Sequence, residues 1–89
     1  MQLMAFEYDP DKSRSNKKKH EIDFEEAQQL WLDGRQIELP SRNSKEECYL
    51  AIGRVDERMW TAIATYRNGD IRIISVRRAR KNEVEIYES

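Results

Sequence analysis

The side chains of this sequence that could do chemistry are mainly cations. Lys12, Arg14, Lys17, Lys18 and Lys19 run up to the single histidine, His20, in a stretch without an acid. Arg72, Arg77, Arg78, Arg80 and Lys81 fall in a second acid-free stretch, residues 71–82, so ten of the sixteen lysines and arginines occupy two windows. Arg54 and four tyrosines complete the set. One reaction suits such tools: cleavage of RNA by attack of its own 2′-hydroxyl. It needs a phosphate held in line, charge stabilised on its oxygens, and protons taken up at one end and delivered at the other. Arginine offers planar paired donors to the phosphate, and histidine or a lysine of lowered pKa can move protons. Neither a metal nor a covalent nucleophile is required.

Signals of other enzyme classes are missing. Gly34, Gly53 and Gly69 are isolated, so there is no glycine-rich phosphate loop. One histidine and one cysteine cannot form a His/Cys metal cluster, and no serine stands at a recognised spacing from a histidine. No cofactor is expected. Charge runs are also ordinary solvated surface, and cations at a helix C-terminus are favoured by its dipole, so RNA binding without cleavage stays open.

With 89 residues, the chain fits one domain, 1–89, with a thin core. Charged residues make up 37% and hydrophobic residues 38%, so the core must come from a few patterned segments. Net charge is only −1, yet the acids lie between the basic windows, so one face can be strongly positive. Cys48 is the one cysteine, which excludes an internal disulfide and suits a reducing compartment. Residues 1–8 lack the pattern of a signal peptide, and no apolar run approaches the roughly 20 residues of a membrane helix. A soluble, cytoplasmic protein with no membrane partner is expected.

The elements that must position these groups follow from periodicity. Residues 4–8 alternate as a short strand, with Met4, Phe6 and Tyr8 on one side. Asp9-Pro10 opens a helix over residues 11–21 that contains no apolar residue and must be held by polar contacts if it is held at all. Asp23 and Glu26 predict a capping box for a second helix, with Phe24, Ala27, Leu30 and Trp31 on one face and Gly34 as its left-handed stop. Strands are predicted at 37–39, 48–55, 59–67 and 71–76, with a polar loop at 41–45, a tight turn at Asp56-Glu57 and a hairpin turn at Asn68-Gly69. The last strand mixes apolar residues and arginines on both faces, which predicts a buried middle and ends presented to solvent. A helix over 80–88 closes the chain, with Ala79, Val84, Ile86 and Tyr87 available for packing. The order is β-α-α-β-β-β-β-α, an α+β fold with a mainly antiparallel sheet.

Several segments together resemble the BrnT-type toxins. They are Phe6 through Lys12 with its Asp9-Pro10, then Asn16, Lys19-His20, and Phe24-Glu25-Glu26-Ala27. They continue in Tyr49 through Arg54, Arg72 through Ala79, Glu83 and Tyr87. Glu21 stands where that pattern usually has glycine, Cys48 where a basic residue is common, and Val76 where a small residue is usual. The resemblance implies a RelE-like fold and a ribonuclease toxin that inhibits translation by cutting RNA, with the ribosome as an optional context. It also implies neutralisation by a BrnA-type antitoxin with a ribbon-helix-helix domain. The expected assembly is a heterotetramer containing a toxin dimer, which meets operator DNA only through the antitoxin. By position, His20, Arg54, Arg72 and Arg77 are the expected catalytic residues, with Lys18, Lys19, Arg78, Lys81 and Tyr87 binding RNA. The competing expectation is a degenerate toxin that acts only as an RNA binder or co-repressor.

Overall fold

In a computed structural model, which describes residues 5–41 and 47–89, the predicted order of elements holds. Strand β1 (Phe6–Glu7) is short, and Met4 lies outside the described residues, as does most of the predicted 41–45 loop. Helix α1 (Pro10–His20) starts where Asp9 accepts the Asp11 N–H at 2.9 Å and Pro10 fills the first turn. Its last turn carries Lys17, Lys18, Lys19 and His20 against the negative end of the helix dipole.

Helix α1 has no apolar stripe, and buried polar side chains attach it instead. Ser13 Oγ accepts the Phe24 N–H at 2.9 Å. Asn16 Nδ2 donates to the Ile22 carbonyl at 2.8 Å, while its Oδ1 accepts the Val76 N–H at 3.2 Å. Strand β5 (Asp70–Arg78) explains the second bond. Its partner β1 pairs only at Ile71 and Arg72, so the Val76 N–H has no strand beside it, and Asn16 takes that place.

Helix α2 (Phe24–Ala27) begins with the predicted capping box: Asp23 Oδ1 accepts the Glu26 N–H and Glu26 Oε1 the Asp23 N–H. The helix does not run on to Gly34. After Ala27 the chain tightens into a 3-10 turn (Gln28–Leu32) and stops at an extended Asp33, while Gly34 stays outside the left-handed region. The Asp33 carboxylate ends the turn by accepting the Arg35 N–H, so a side chain does what the glycine was expected to do.

Strands β2 (Ile37–Pro40), β3 (Cys48–Val55), β4 (Arg58–Arg67) and β5 form an antiparallel run, and β1 adds to β5 in parallel, giving the order β1-β5-β4-β3-β2. Asn68 and Gly69 both have positive φ, as the tight β4–β5 hairpin demands. A bulge between the Ala64–Ile73 and Ile63–Ser75 pairs breaks the alternation expected for β5. It returns Val76 to the face that already holds Ile71 and Ile73. That face meets Ile22, Phe24, Ala27 and Leu30 across Ala51, Ala62 and Ala64, and this is the core. The alanines and Gly53 let the α2 segment sit close; a Cβ on Gly53 would lie 3.0 Å from Leu30 Cδ2.

The other face is covered at one end by α3 (Lys81–Glu88), over the buried Ile52 and Thr61. Its buried residue is Glu83, and Ile86, expected to pack, is 38% exposed. The eight-residue helix is tied down by polar groups rather than by an apolar stripe.

Glu21, the C-cap of α1, sits in the left-handed region at φ 66°, where its N–H bonds the Lys17 carbonyl at 3.0 Å. A side chain costs about 1 kcal/mol there and glycine does not. Glu21→Gly is expected to raise the melting temperature by about 5 °C in a thermal denaturation; an unchanged or lower value would count against this source of strain.

Candidate functional site

The cations predicted to act together are distributed over three places. At the end of α1, Lys19 and His20 line a small cleft of about 220 Å³ with Lys12, Asn16 and Ser75, along the outer edge of β5. Lys18 is exposed on the same helical end. The α3 side of the sheet holds Arg54, Arg72 and Arg77, but not as a cluster. Arg72 pairs in register with Thr65 and Arg77 with Thr61, so the two are about 15 Å apart along β5. Arg78 turns to the core side and lies over the Trp60 ring at 5.3 Å, and Lys81 is exposed at the start of α3.

Arg77 is committed. Its two terminal nitrogens donate to Glu83 Oε1 and Oε2 at 2.7 and 2.9 Å, with 20% of the arginine side chain and 5% of the glutamate exposed. Glu83 Oε1 also accepts the Arg80 N–H and the Thr61 hydroxyl. The Arg77 bonds, with Arg80 and Thr61, outweigh the effect of burial and hold the Glu83 carboxyl at about 2. The paired donors expected to grip phosphate instead fasten α3 to β5.

A second carboxylate, half-buried, builds the more open site. Asp33 Oδ1 accepts the Arg35 N–H, and its Oδ2 accepts the Arg54 N–H at 2.8 Å and the Tyr87 hydroxyl at 2.7 Å. Burial pushes the Asp33 carboxyl up, but these donors and the Arg54 charge leave it below its usual range. The same hydrogen bond, with some burial, raises the Tyr87 hydroxyl, which therefore stays protonated at neutral pH. Arg35, Arg54 and Tyr87 line a cleft of about 600 Å³ together with Ile37, Glu88 and Ser89.

Asp33, Arg35 and Glu83 were not among the expected site residues. Glu83 had one visible signal, its place in the family pattern; Asp33 and Arg35 had none, since Asp33 meets Arg54 and Tyr87 only in three dimensions. Among the described residues, no group of three His, Cys, Asp or Glu side chains is placed to hold a metal, and no helix is long and apolar enough to cross a membrane.

A family model described as the ribonuclease toxin BrnT of type II toxin–antitoxin systems matches residues 8–83. The chain belongs to the BrnT family. No curated protein matches it. The BrnT match takes in Lys19, His20, Arg54, Arg72, Arg77 and Glu83 and ends before Tyr87. Membership makes ribonuclease the enzyme class and an antitoxin the partner. In this BrnT chain Arg77 has an architectural role, joining β5 to α3 through Glu83.

The folded value of Glu83 lies below its ordinary 4.5, so its contribution is complete above that pH and is lost as the pH falls to about 2. Glu83→Gln is expected to cost about 3–5 kcal/mol at neutral pH by leaving Arg77 unpaired. It should also flatten the acid limb of melting temperature against pH between those values. An acid limb of unchanged steepness in the variant would show that Glu83 does not carry it.

Proposed function

We propose that this chain, as a single domain over 1–89 with a RelE-like fold, is a toxin that inhibits translation by metal-independent cleavage of RNA. The observation that carries this reading is the cleft organised by Asp33, where Arg35 and Arg54 flank a hydroxyl held in one orientation. The two guanidinium groups hold the scissile phosphate and stabilise the charge that grows on its oxygens. Glu88, on the same cleft, takes the proton of the attacking 2′-hydroxyl as its oxygen bonds to phosphorus. The bond to the 5′-oxygen breaks, and the Tyr87 hydroxyl turns its one proton from Asp33 to that oxygen as the charge on it grows. The products are a 2′,3′-cyclic phosphate and a 5′-hydroxyl.

Lys18, Lys19 and His20 grip the RNA backbone along the β5 edge. Arg72, Arg78 and Lys81 add phosphate contacts away from the cut, and Arg77 supports the site through α3. The partner is a BrnA-type ribbon-helix-helix antitoxin in a heterotetramer with a toxin dimer, which meets operator DNA through the antitoxin. The setting is the cytoplasm, with RNA cut free or on the ribosome.

One observation favours a second reading. His20 and Arg54, both expected at the catalytic centre, line different clefts. A non-catalytic RNA binder or co-repressor would use both clefts only to retain RNA, with strong salt dependence and no product.

Purified wild-type chain is compared with Arg54→Ala and Arg35→Ala for RNA cleavage in the presence of a chelator. Each substitution is expected to lower kcat/KM by about 10²–10³-fold with a near-native melting temperature. Folded wild-type protein that retains RNA and leaves it intact would establish the second reading instead.

A further inference from the structure

A groove of about 660 Å³ lies on the core side of the sheet, between the α1–α2 junction and the β3–β4 turn. Ile22, Val55 and Trp60 form its floor, and Glu21, Glu26, Asp56 and Glu57 its rim. Arg58 is the one cation lining it, at 3.9 Å from Glu21, and Lys17 offsets Glu26 from outside at 2.6 Å. Asp56 and Glu57, exposed on the turn, have no ion-pair partner among the described residues.

The groove continues into a second, shallower cleft. Gln29, Val55 and Asp56 belong to both, and the second adds Leu32, Asp33 and Arg54. Leu32 is 84% exposed, the most exposed large apolar side chain among the described residues. An unpaired acidic turn repels RNA, and an uncovered leucine beside it offers nothing to a phosphate. The combination suits a polypeptide that presents an apolar side chain next to lysine or arginine.

We infer that the antitoxin docks here, with an apolar residue against Leu32 and a basic residue at Asp56 and Glu57. The inference rests on the toxin–antitoxin reading of the family and adds the surface. It also accounts for neutralisation. The shallower cleft includes Asp33 and Arg54, the residues that organise the proposed RNA cleft, so a segment seated on Leu32 lies beside Arg54 and blocks the approach of RNA.

The test titrates the purified full-length antitoxin onto the full chain and onto Leu32→Asp, Glu57→Lys and the double variant by calorimetry. RNA cleavage and melting temperature are measured for each. Glu85→Lys, on the exposed side of α3, is the charge-reversal control. Each single substitution is expected to weaken antitoxin binding about tenfold and the double variant about a hundredfold, with cleavage and melting temperature kept. Glu85→Lys should bind as the wild type does. Wild-type affinity in the double variant, or an equal loss in Glu85→Lys, overturns the docking surface. Antitoxin binding that is lost in the double variant, from a wild type that cuts no RNA, supports the surface and contradicts the ribonuclease reading instead.

Discussion

The ion pair between Arg77 and Glu83 is the interaction on which the second face of the sheet depends. Helix α3 is eight residues long and exposes Ile86, so burial of apolar surface alone does not hold it in place. Glu83 compensates by taking four donors, from β5, β4 and the N-cap of α3: both terminal nitrogens of Arg77, the Thr61 hydroxyl and the Arg80 N–H. A buried carboxylate is costly unless its oxygens are satisfied, and here they are. Once α3 is fixed, Tyr87 falls within reach of Asp33, and Asp33 in turn fixes the backbone at Arg35 and Arg54. The open cleft thus depends on the Arg77–Glu83 pair that seats α3.

The same solution recurs on the core side. Helix α1 is rich in charge and poor in apolar atoms, which suits an RNA-facing surface but leaves little to bury. Asn16 resolves the conflict by bonding both the Ile22 carbonyl and the edge N–H of Val76, with Ser13 holding the start of α2. Both basic segments are therefore anchored by buried polar side chains. The apolar core is left to α2, the 3-10 turn and the inward face of β3, β4 and β5.

Much of this was legible because its causes are local. The capping box at Asp23 and Glu26, the Asp9-Pro10 start and the Asn68-Gly69 turn are short-range chemistry, and the structure shows each of them. The departures have non-local causes. The bulge in β5 serves the packing of Val76 beside Ile71 and Ile73, which periodicity along one strand cannot show. Where the helix stops short of Gly34, the Asp33 carboxylate that bonds the Arg35 N–H also meets partners 21 and 54 residues away. The site divides in the same way. Residue types pointed to cations and RNA, whereas which arginines are free depended on Glu83 and Asp33, acids that the charge pattern had passed over.

Cleavage of RNA by its own 2′-hydroxyl, on a phosphate held by arginine, leaves its signature in the ends of the product. A defined RNA is incubated with purified chain, and both fragments are examined by mass spectrometry. A 2′,3′-cyclic phosphate or its opened 3′-phosphate, opposite a 5′-hydroxyl, is the predicted result, with no cut where the attacking nucleotide is 2′-deoxy. A 3′-hydroxyl opposite a 5′-phosphate, or cleavage of the deoxy-substituted strand, would contradict it, because water rather than the neighbouring hydroxyl would then be the nucleophile.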